Sequence, residues 1–295
     1  MREEIRNVQA LMEREAYVTD RATATAVHLA MVLRKPLLVE GHPGVGKTEI
    51  ARVLARALDT SLIRLQCYEG LDVTTALYEW NYPKQLLHIK LEESSGKSLE
   101  EREHSIFGEQ FLLKRPLLQA ITQPHQAPVL LVDEVDRSDE EFEAFLLEVL
   151  GDYQVTIPEI GTVTATHAPY VVLTSNRARE LSEALRRRCL YLWVDYPSFD
   201  KELQIVRVKV PGAGARLAAQ VTAFVQTVRA QKLAKVPGVA ETLDWAQALV
   251  ALHADALDPE LVDETLGCFL KDEADIRQLR AALAERGLSA FAGVA

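Results

Sequence analysis

Eight consecutive residues, Gly41-His42-Pro43-Gly44-Val45-Gly46-Lys47-Thr48, match the spacing G-x-x-x-x-G-K-[ST]. The chemistry served by that spacing is phosphate binding. Glycines let the backbone bend tightly and turn successive N–H groups toward phosphate oxygens, and a following helix adds the positive end of its dipole. In such a loop Lys47 would reach the β- and γ-phosphates and Thr48 would hold Mg²⁺. A second pair of reactive residues, Asp133-Glu134, ends the apolar run Val129-Leu130-Leu131-Val132. Asp133 would hold the same Mg²⁺, directly or through water, and Glu134 would polarise a water for attack on the γ-phosphate. Asn176, which closes the run Tyr170-Val171-Val172-Leu173-Thr174-Ser175, could orient that water.

These residues need a scaffold, and the flanking pattern supplies one. Pro36-Leu37-Leu38-Val39-Glu40 has the length of a buried parallel strand, while Ile50, Val53, Leu54, Ala57 and Leu58 recur at helical spacing. Ser61 to Cys67 reads as a second strand, so a strand–helix–strand unit of a parallel sheet is under way. The runs ending at Asp133 and Asn176 read as further buried strands, with their polar residues where open α/β sheets bind ligands. Upstream, Ile5 to Met12 and Thr23 to Leu33 read as helices, with Asp20 suited to cap the second. Tyr68 to Tyr82 reads as an aromatic loop, and Ser94-Ser95-Gly96-Lys97-Ser98 as a surface loop between acidic flanks. Leu112 to Ile121 resumes a helical period. Ser138 and Glu141 stand at capping-box spacing ahead of the helical run Phe142 to Leu150. Gln154 to Ile157 and Thr162 to Ala165 then alternate around Pro158-Glu159-Ile160-Gly161 as a β-hairpin.

Composition bounds the function. The chain has 295 residues, 48% hydrophobic and 26% charged, with a formal net charge of −10. This is an ordinary globular composition whose acidity argues against a surface built to grip nucleic-acid phosphates. Cys67, Cys189 and Cys268 follow no metal or redox spacing and read as reduced, packed thiols; the scattered histidines His28, His88, His104, His125, His167 and His253 suggest no metal site. The N-terminal residues lack the apolar core of a signal peptide, and no run approaches the ~20 apolar residues of a membrane span, so a cytoplasmic protein is expected.

The glycine loop, Leu131-Val132-Asp133-Glu134-Val135-Asp136-Arg137, Phe145 to Leu150 leading into Gln154 to Ile157, and Leu173-Thr174-Ser175-Asn176 together resemble an AAA+ ATPase of the MoxR family. The runs Arg64 to Asp72, Leu77 to Tyr82 and Leu190 to Pro197 resemble the branch found beside carbon monoxide dehydrogenase-type molybdenum hydroxylase genes. The resemblance implies a P-loop α/β core over residues 1–197 and a small all-α lid over 198–295, where the pattern turns helical with breaks at Pro211-Gly212, Pro237-Gly238 and Asp258-Pro259. It implies ATP and Mg²⁺ as cofactors, Glu134 as the catalytic carboxylate and Asn176 as the sensor of the γ-phosphate. It also implies a ring, expected to be a hexamer, in which Arg188, with Arg187 as the alternative, reaches the neighbouring subunit's nucleotide; Arg137 sits where the family places another subunit-facing arginine. A protein client and a von Willebrand A-domain partner follow from the same resemblance. The chain departs from the family in one place: Val239-Ala240-Glu241-Thr242-Leu243-Asp244-Trp245 lacks the second sensor arginine expected after Pro237-Gly238. A nucleic-acid-associated motor and a nucleotide-gated scaffold with little turnover are the other functions these motifs allow. Pro158 to Gly161 and the aromatic stretch Tyr68 to Tyr82 are the segments expected to touch a client.

Overall fold

Branched apolar side chains make the central sheet. In the computed structural model, which describes residues 2–92 and 106–292, the runs Leu37–Gly41 (β1), Val129–Asp133 (β5) and Tyr170–Ser175 (β8) are almost wholly buried strands. Such continuous burial is what a sheet covered on both faces requires. Leu62–Gln66 (β2) and Leu190–Val194 (β9) lie at the sheet's ends, in the order β2-β5-β8-β1-β9. The pairings β2–β5, β5–β8 and β1–β8 are parallel, with Gln66 opposite Asp133, Val132 opposite Leu173 and Glu40 opposite Ser175. Parallel register brings the C-terminal ends of these strands level, which is where their polar residues sit.

Two compact units emerge. The first comprises Met1–Val8, Arg21–Glu40 and Thr48–Leu192. Its core packs sheet residues Leu38, Leu65, Leu130, Val132 and Leu173 against Leu117, Leu118, Phe142, Leu146 and Leu185 from flanking helices. Helices α1 (Arg2–Arg14) and α2 (Arg21–Leu33) form close to where the apolar spacing places them, and α3 (Lys47–Ala57) follows the glycine loop. The hairpin forms as Gln154–Ile157 (β6) and Gly161–Thr164 (β7), with Gly161 at φ +91, where a side chain would strain the turn.

Three local expectations are corrected. Tyr68 to Tyr82 is not simply a loop: Val73–Ala76 is a short helix (α4), and Tyr78–Trp80 (β3) pairs antiparallel with Leu112–Lys114 (β4). Trp80 joins the core, while Tyr68 stays exposed, as does Tyr82 at the start of the helix Tyr82–Glu92 (α5). The residues before Pro116 are therefore strand, not helix; Arg115 is held extended at φ −89, ψ 173 by the proline that follows, and the helix α6 starts only at Pro116–Ile121. The cap of the helix after the acid pair is Asp139, whose carboxylate accepts the Phe142 N–H at 2.8 Å, starting α7 at Glu140–Asp152. Ser138 is buried and its hydroxyl donates instead to the Val135 carbonyl. The loop expected at Ser94 to Ser98, like His104, lies outside the described residues.

The second unit comprises Gln9–Asp20, Gly41–Lys47 and Trp193–Ala295. It contains Phe199–Lys209 (α9), Ala215–Arg229 (α10), Val239–Ala251 (α11), Pro259–Phe269 (α12) and Glu273–Arg286 (α13). Phe224, Trp245, Phe269 and Phe291 cluster in its core, tilted or edge to face, with ring centroids 4.5–5.9 Å apart. The unit also holds a buried ion pair. Arg229 contacts Glu202 through both terminal nitrogens at 2.5 and 2.6 Å and donates to Thr242 Oγ1 at 3.0 Å. Among the described residues no helix is long and apolar enough to cross a membrane.

Candidate active site

The acid pair stands where β5 ends, and its geometry follows from the register. Asp133 is 3% exposed and accepts four donors. Thr48 Oγ1 at 3.0 Å and Thr174 Oγ1 at 2.6 Å approach one carboxylate oxygen, and Arg64 Nε at 3.0 Å and Nη2 at 2.6 Å approach the other. Thr48 is the last residue of the glycine-loop motif, so the motif's hydroxyl and the strand-end carboxylate are joined directly. Glu134 follows in the left-handed region, φ 55 and ψ 50, a strained conformation for a residue with a side chain. Its backbone N–H donates to Thr174 Oγ1 at 2.9 Å, so one hydroxyl on β8 braces both acids.

Three side chains converge on the Glu134 carboxylate. Asn176 Nδ2 donates to Oε1 at 3.2 Å, while Gln66 Nε2 and Arg137 Nε approach Oε2 at 3.1 and 2.9 Å. Asn176 is itself fixed: its backbone N–H and that of Ala178 donate to the buried Asp136 carboxylate at 3.2 and 2.7 Å. Asp136 thus shapes the turn after β8, a role its place in the motif did not announce. Cys67, beside these carboxylates, is a buried thiol whose pKa is pushed up to about 12, first by burial and then by the charges of Asp133, Asp136 and Glu134.

In the glycine loop, Lys47 Nζ donates to the carbonyls of Gly41 and His42 at 2.9 and 2.7 Å. The ammonium therefore curls over its own loop. His42 stacks on Tyr196, rings 4.5 Å apart and 8° from parallel, and lies edge-on to Trp193 at 5.6 Å. Gly44, at φ +73, abuts the start of α11: the Ala240 N–H donates to the Gly44 carbonyl at 3.0 Å, and a Cβ on Gly44 would lie 2.8 Å from Glu241 Oε2. Gly238, just before the segment where the second sensor arginine was expected, packs closely against Gly44.

The arginine triplet ends Glu183–Arg188 (α8), and its members divide. Arg186 donates to Glu40 Oε1 at 3.0 Å, helping to satisfy a carboxylate only 1% exposed. Arg187 pairs with Glu183 one turn back, and Arg188 donates to the Leu147 carbonyl; both stay exposed. Sequence reasoning overlooked Arg64 and Gln66 as site residues. Their signal was the alternation Ile63-Arg64-Leu65-Gln66-Cys67, which puts both polar side chains on one face of an edge strand.

Oxygen donors are what Mg²⁺ prefers, and Thr48 with Asp133 offer a hydroxyl and a carboxylate 3.0 Å apart. Among the described residues no group of three or more His, Cys, Asp or Glu side chains could hold a metal by itself. A pair of protein oxygens completed by phosphate and water fits Mg²⁺, which keeps much of its hydration shell.

A five-stranded parallel sheet, a glycine loop entering a helix and an acid pair at the end of β5 define a P-loop nucleotide-hydrolysing protein. The chain belongs to the AAA domain family of the dynein-related subfamily, which it matches over residues 36–189, and carries an ATPase domain of that family. It is 24% identical over 187 residues to the uncharacterized protein YeaC of Bacillus subtilis, covering 61% of this chain and 49% of that protein. An uncharacterized Staphylococcus aureus (strain USA300) protein is 24% identical over 204 residues, 67% of this chain and 69% of its own. The chain thus spans about half of the first of these relatives and about two thirds of the second. Two structures of Thermotoga maritima RuvB mutants share the fold, with TM-scores of 0.51 and 0.50 at 17% and 18% identity. They cover 93% and 99% of this chain and 81% and 83% of theirs.

Proposed function

We propose that this chain is an ATP-hydrolysing chaperone of the MoxR type, cytoplasmic, working as a ring with a hexamer expected, and remodelling a client protein or its metal-cofactor site. The observation that carries the reading is the direct bond between Thr48 and Asp133, which ties the phosphate-loop motif to the acid-bearing strand. The division of labour follows from the chemistry. Backbone N–H groups of Gly41 to Lys47 and the Lys47 ammonium cradle the phosphates, and Thr48 and Asp133 hold Mg²⁺. When bound, the metal neutralises charge on the phosphate oxygens. Glu134 accepts the proton of the attacking water, and Asn176, already within hydrogen-bond reach of Glu134 at 3.2 Å, holds that water in line. For this to happen Glu134 must shed Arg137 and Gln66, so the arrangement described is a resting state.

Residues 198–295 serve as the lid, and the partners are the client, approached by the hairpin tip Pro158 to Gly161 and by Tyr68 and Tyr82, and a von Willebrand A-domain protein. Arg188 stabilises the transition state in the adjacent subunit, an effect worth roughly 10³–10⁵ in rate. In test, Lys47→Ala should lose ATP binding, whereas Glu134→Gln should bind ATP and lose hydrolysis. Mixing Arg188→Ala with Glu134→Gln, each inactive alone, should restore part of the activity at interfaces that pair an intact Glu134 with an intact Arg188. A mixture that stays dead despite demonstrated subunit exchange rules the shared site out. Steady-state hydrolysis with added proteins and with DNA separates the chaperone reading from a nucleic-acid motor.

A further inference from the structure

Asp133 has no acceptor capacity to spare. An ionised carboxylate offers about four lone-pair sites, and here two hydroxyls and two guanidinium N–H groups fill them. A cation can reach this carboxylate only by displacing one of those donors. Thr48 belongs to the ligand set itself, and Thr174 is a neutral hydroxyl that also braces the Glu134 backbone. Arg64 alone brings a positive charge, at 2.6 Å from the oxygen it contacts. It stands on the edge strand with its side chain 44% exposed, so solvent is open to it if it withdraws.

We infer that Arg64 is a positioning residue that holds Asp133 in the metal-free state and surrenders it to Mg²⁺, so that its charge sets how much metal the site needs. The inference rests on the reading of Asp133 as a metal ligand. It reaches further than the metal because Arg64 also donates to the Gln66 side-chain oxygen. A guanidinium accepts nothing, so that contact fixes the amide: oxygen toward Arg64, NH₂ toward Glu134, where Gln66 Nε2 donates at 3.1 Å. Withdrawal of Arg64 therefore removes the restraint that aims Gln66 at Glu134. Metal arrival and the loosening of Gln66 from Glu134 become one event, while Arg137 stays paired with Glu134 until a later step.

The test measures binding, not turnover. Mn²⁺ stands in for Mg²⁺, and its binding to the protein saturated with ADP is read from the free-ion electron paramagnetic resonance signal. Removing one charge at a half-exposed contact is worth roughly tenfold, so Arg64→Met should bind Mn²⁺ about tenfold more tightly than the parent, and Arg64→Lys should stay within about threefold of it. Asp133→Asn serves as the control for the underlying reading. If it retains parental Mn²⁺ affinity, Asp133 is not a ligand and the inference falls with that reading. If Asp133→Asn loses the metal but Arg64→Met binds it no better than the parent, the ligand reading stands and the role given to Arg64 is wrong. A measurement on the parent protein covers a variant that does not fold. Phenylglyoxal labelling of Arg64, mapped by mass spectrometry, should increase severalfold when Mg²⁺ and ADP are added together over ADP alone; unchanged or reduced labelling overturns the inference.

Discussion

Gly238 offers a direct measure of how tightly the glycine loop is packed. A Cβ built on it would lie 2.7 Å from the Pro43 carbonyl oxygen and 2.8 and 2.9 Å from Gly44 Cα and C. All three are backbone atoms, so no flexible side chain can swing aside, and ordinary contact would require the loop or the start of α11 to retreat by about half an ångström or more. Overpacking of this kind costs roughly 1–3 kcal/mol, which as affinity is about 5- to 150-fold. Gly238 is at φ −84, open to any residue, so backbone strain contributes nothing to Gly238→Ala. It is also the N-cap of α11, and alanine is a poor cap. Gly238→Ser separates the two effects, because serine caps well but carries the same Cβ. The assay pairs denaturant unfolding with ADP binding by calorimetry for both variants. The steric account requires serine to lose at least about 1 kcal/mol across the two measurements, as alanine does. A serine variant within about 0.5 kcal/mol of the parent in both would refute it.

Two further outcomes follow from buried charge and buried thiols. Arg229→Met leaves Glu202, 0% exposed, without its cationic partner, although Gln226 and Thr242 still donate to it, and should cost about 3–5 kcal/mol by denaturant unfolding, whereas Arg229→Met combined with Glu202→Met should recover most of it; no recovery would mean the pair is not the source of the loss. Cys67 and Cys189 are held near 12 by burial, against about 9 for a free thiol. Between those values the unfolded thiol has lost its proton and the folded one has not, so the native state binds more protons and stability falls as pH rises. Each thiol should steepen that fall by about 1.4 kcal/mol per pH unit above pH ~9, and Cys67→Ala should flatten it in unfolding curves recorded at several alkaline pH values.

The α/β core was legible because its signals are long and redundant. Each of β1, β5 and β8 is a branched apolar run ending in a polar residue, and parallel register aligns those ends whatever the intervening loops do. Short elements were harder. Leu112–Lys114 reads as the first turn of a helix by apolar spacing alone, and only its pairing with Tyr78–Trp80, more than thirty positions earlier in the chain, makes it a strand. Three residues cannot carry a period, so tertiary contact decides. The cap at Asp139 was missed for a related reason: Ser138 and Asp139 are both good caps, and burial of Ser138 settles which carboxylate or hydroxyl faces the helix end.

At the site, the acids were visible and their keepers were not. Asp133 and Glu134 announce themselves because two carboxylates at the end of an apolar strand have no structural use there. Arg64, Gln66 and Thr174 are each unremarkable in the chain, where a polar residue on a strand is ordinary. They acquire meaning only through cross-strand register, which sets Gln66 opposite Asp133 and Thr174 one step past the pairing of Val132 with Leu173. The two acids are consequently in different electrical situations although they are adjacent. Asp133 is buried, with every lone pair occupied and one cation, Arg64, against it. Glu134 is more open, on a strained backbone, gripped by Asn176, Gln66 and Arg137 at 2.9–3.2 Å. A carboxylate held that way has its oxygens occupied by donors, so a water can approach it as a base only where a donor leaves. On the proposed reading, the metal step reaches Glu134 only through Arg64 and Gln66, and Arg137, which bonds Glu134 and not Asp133, is the side chain left to control the second step.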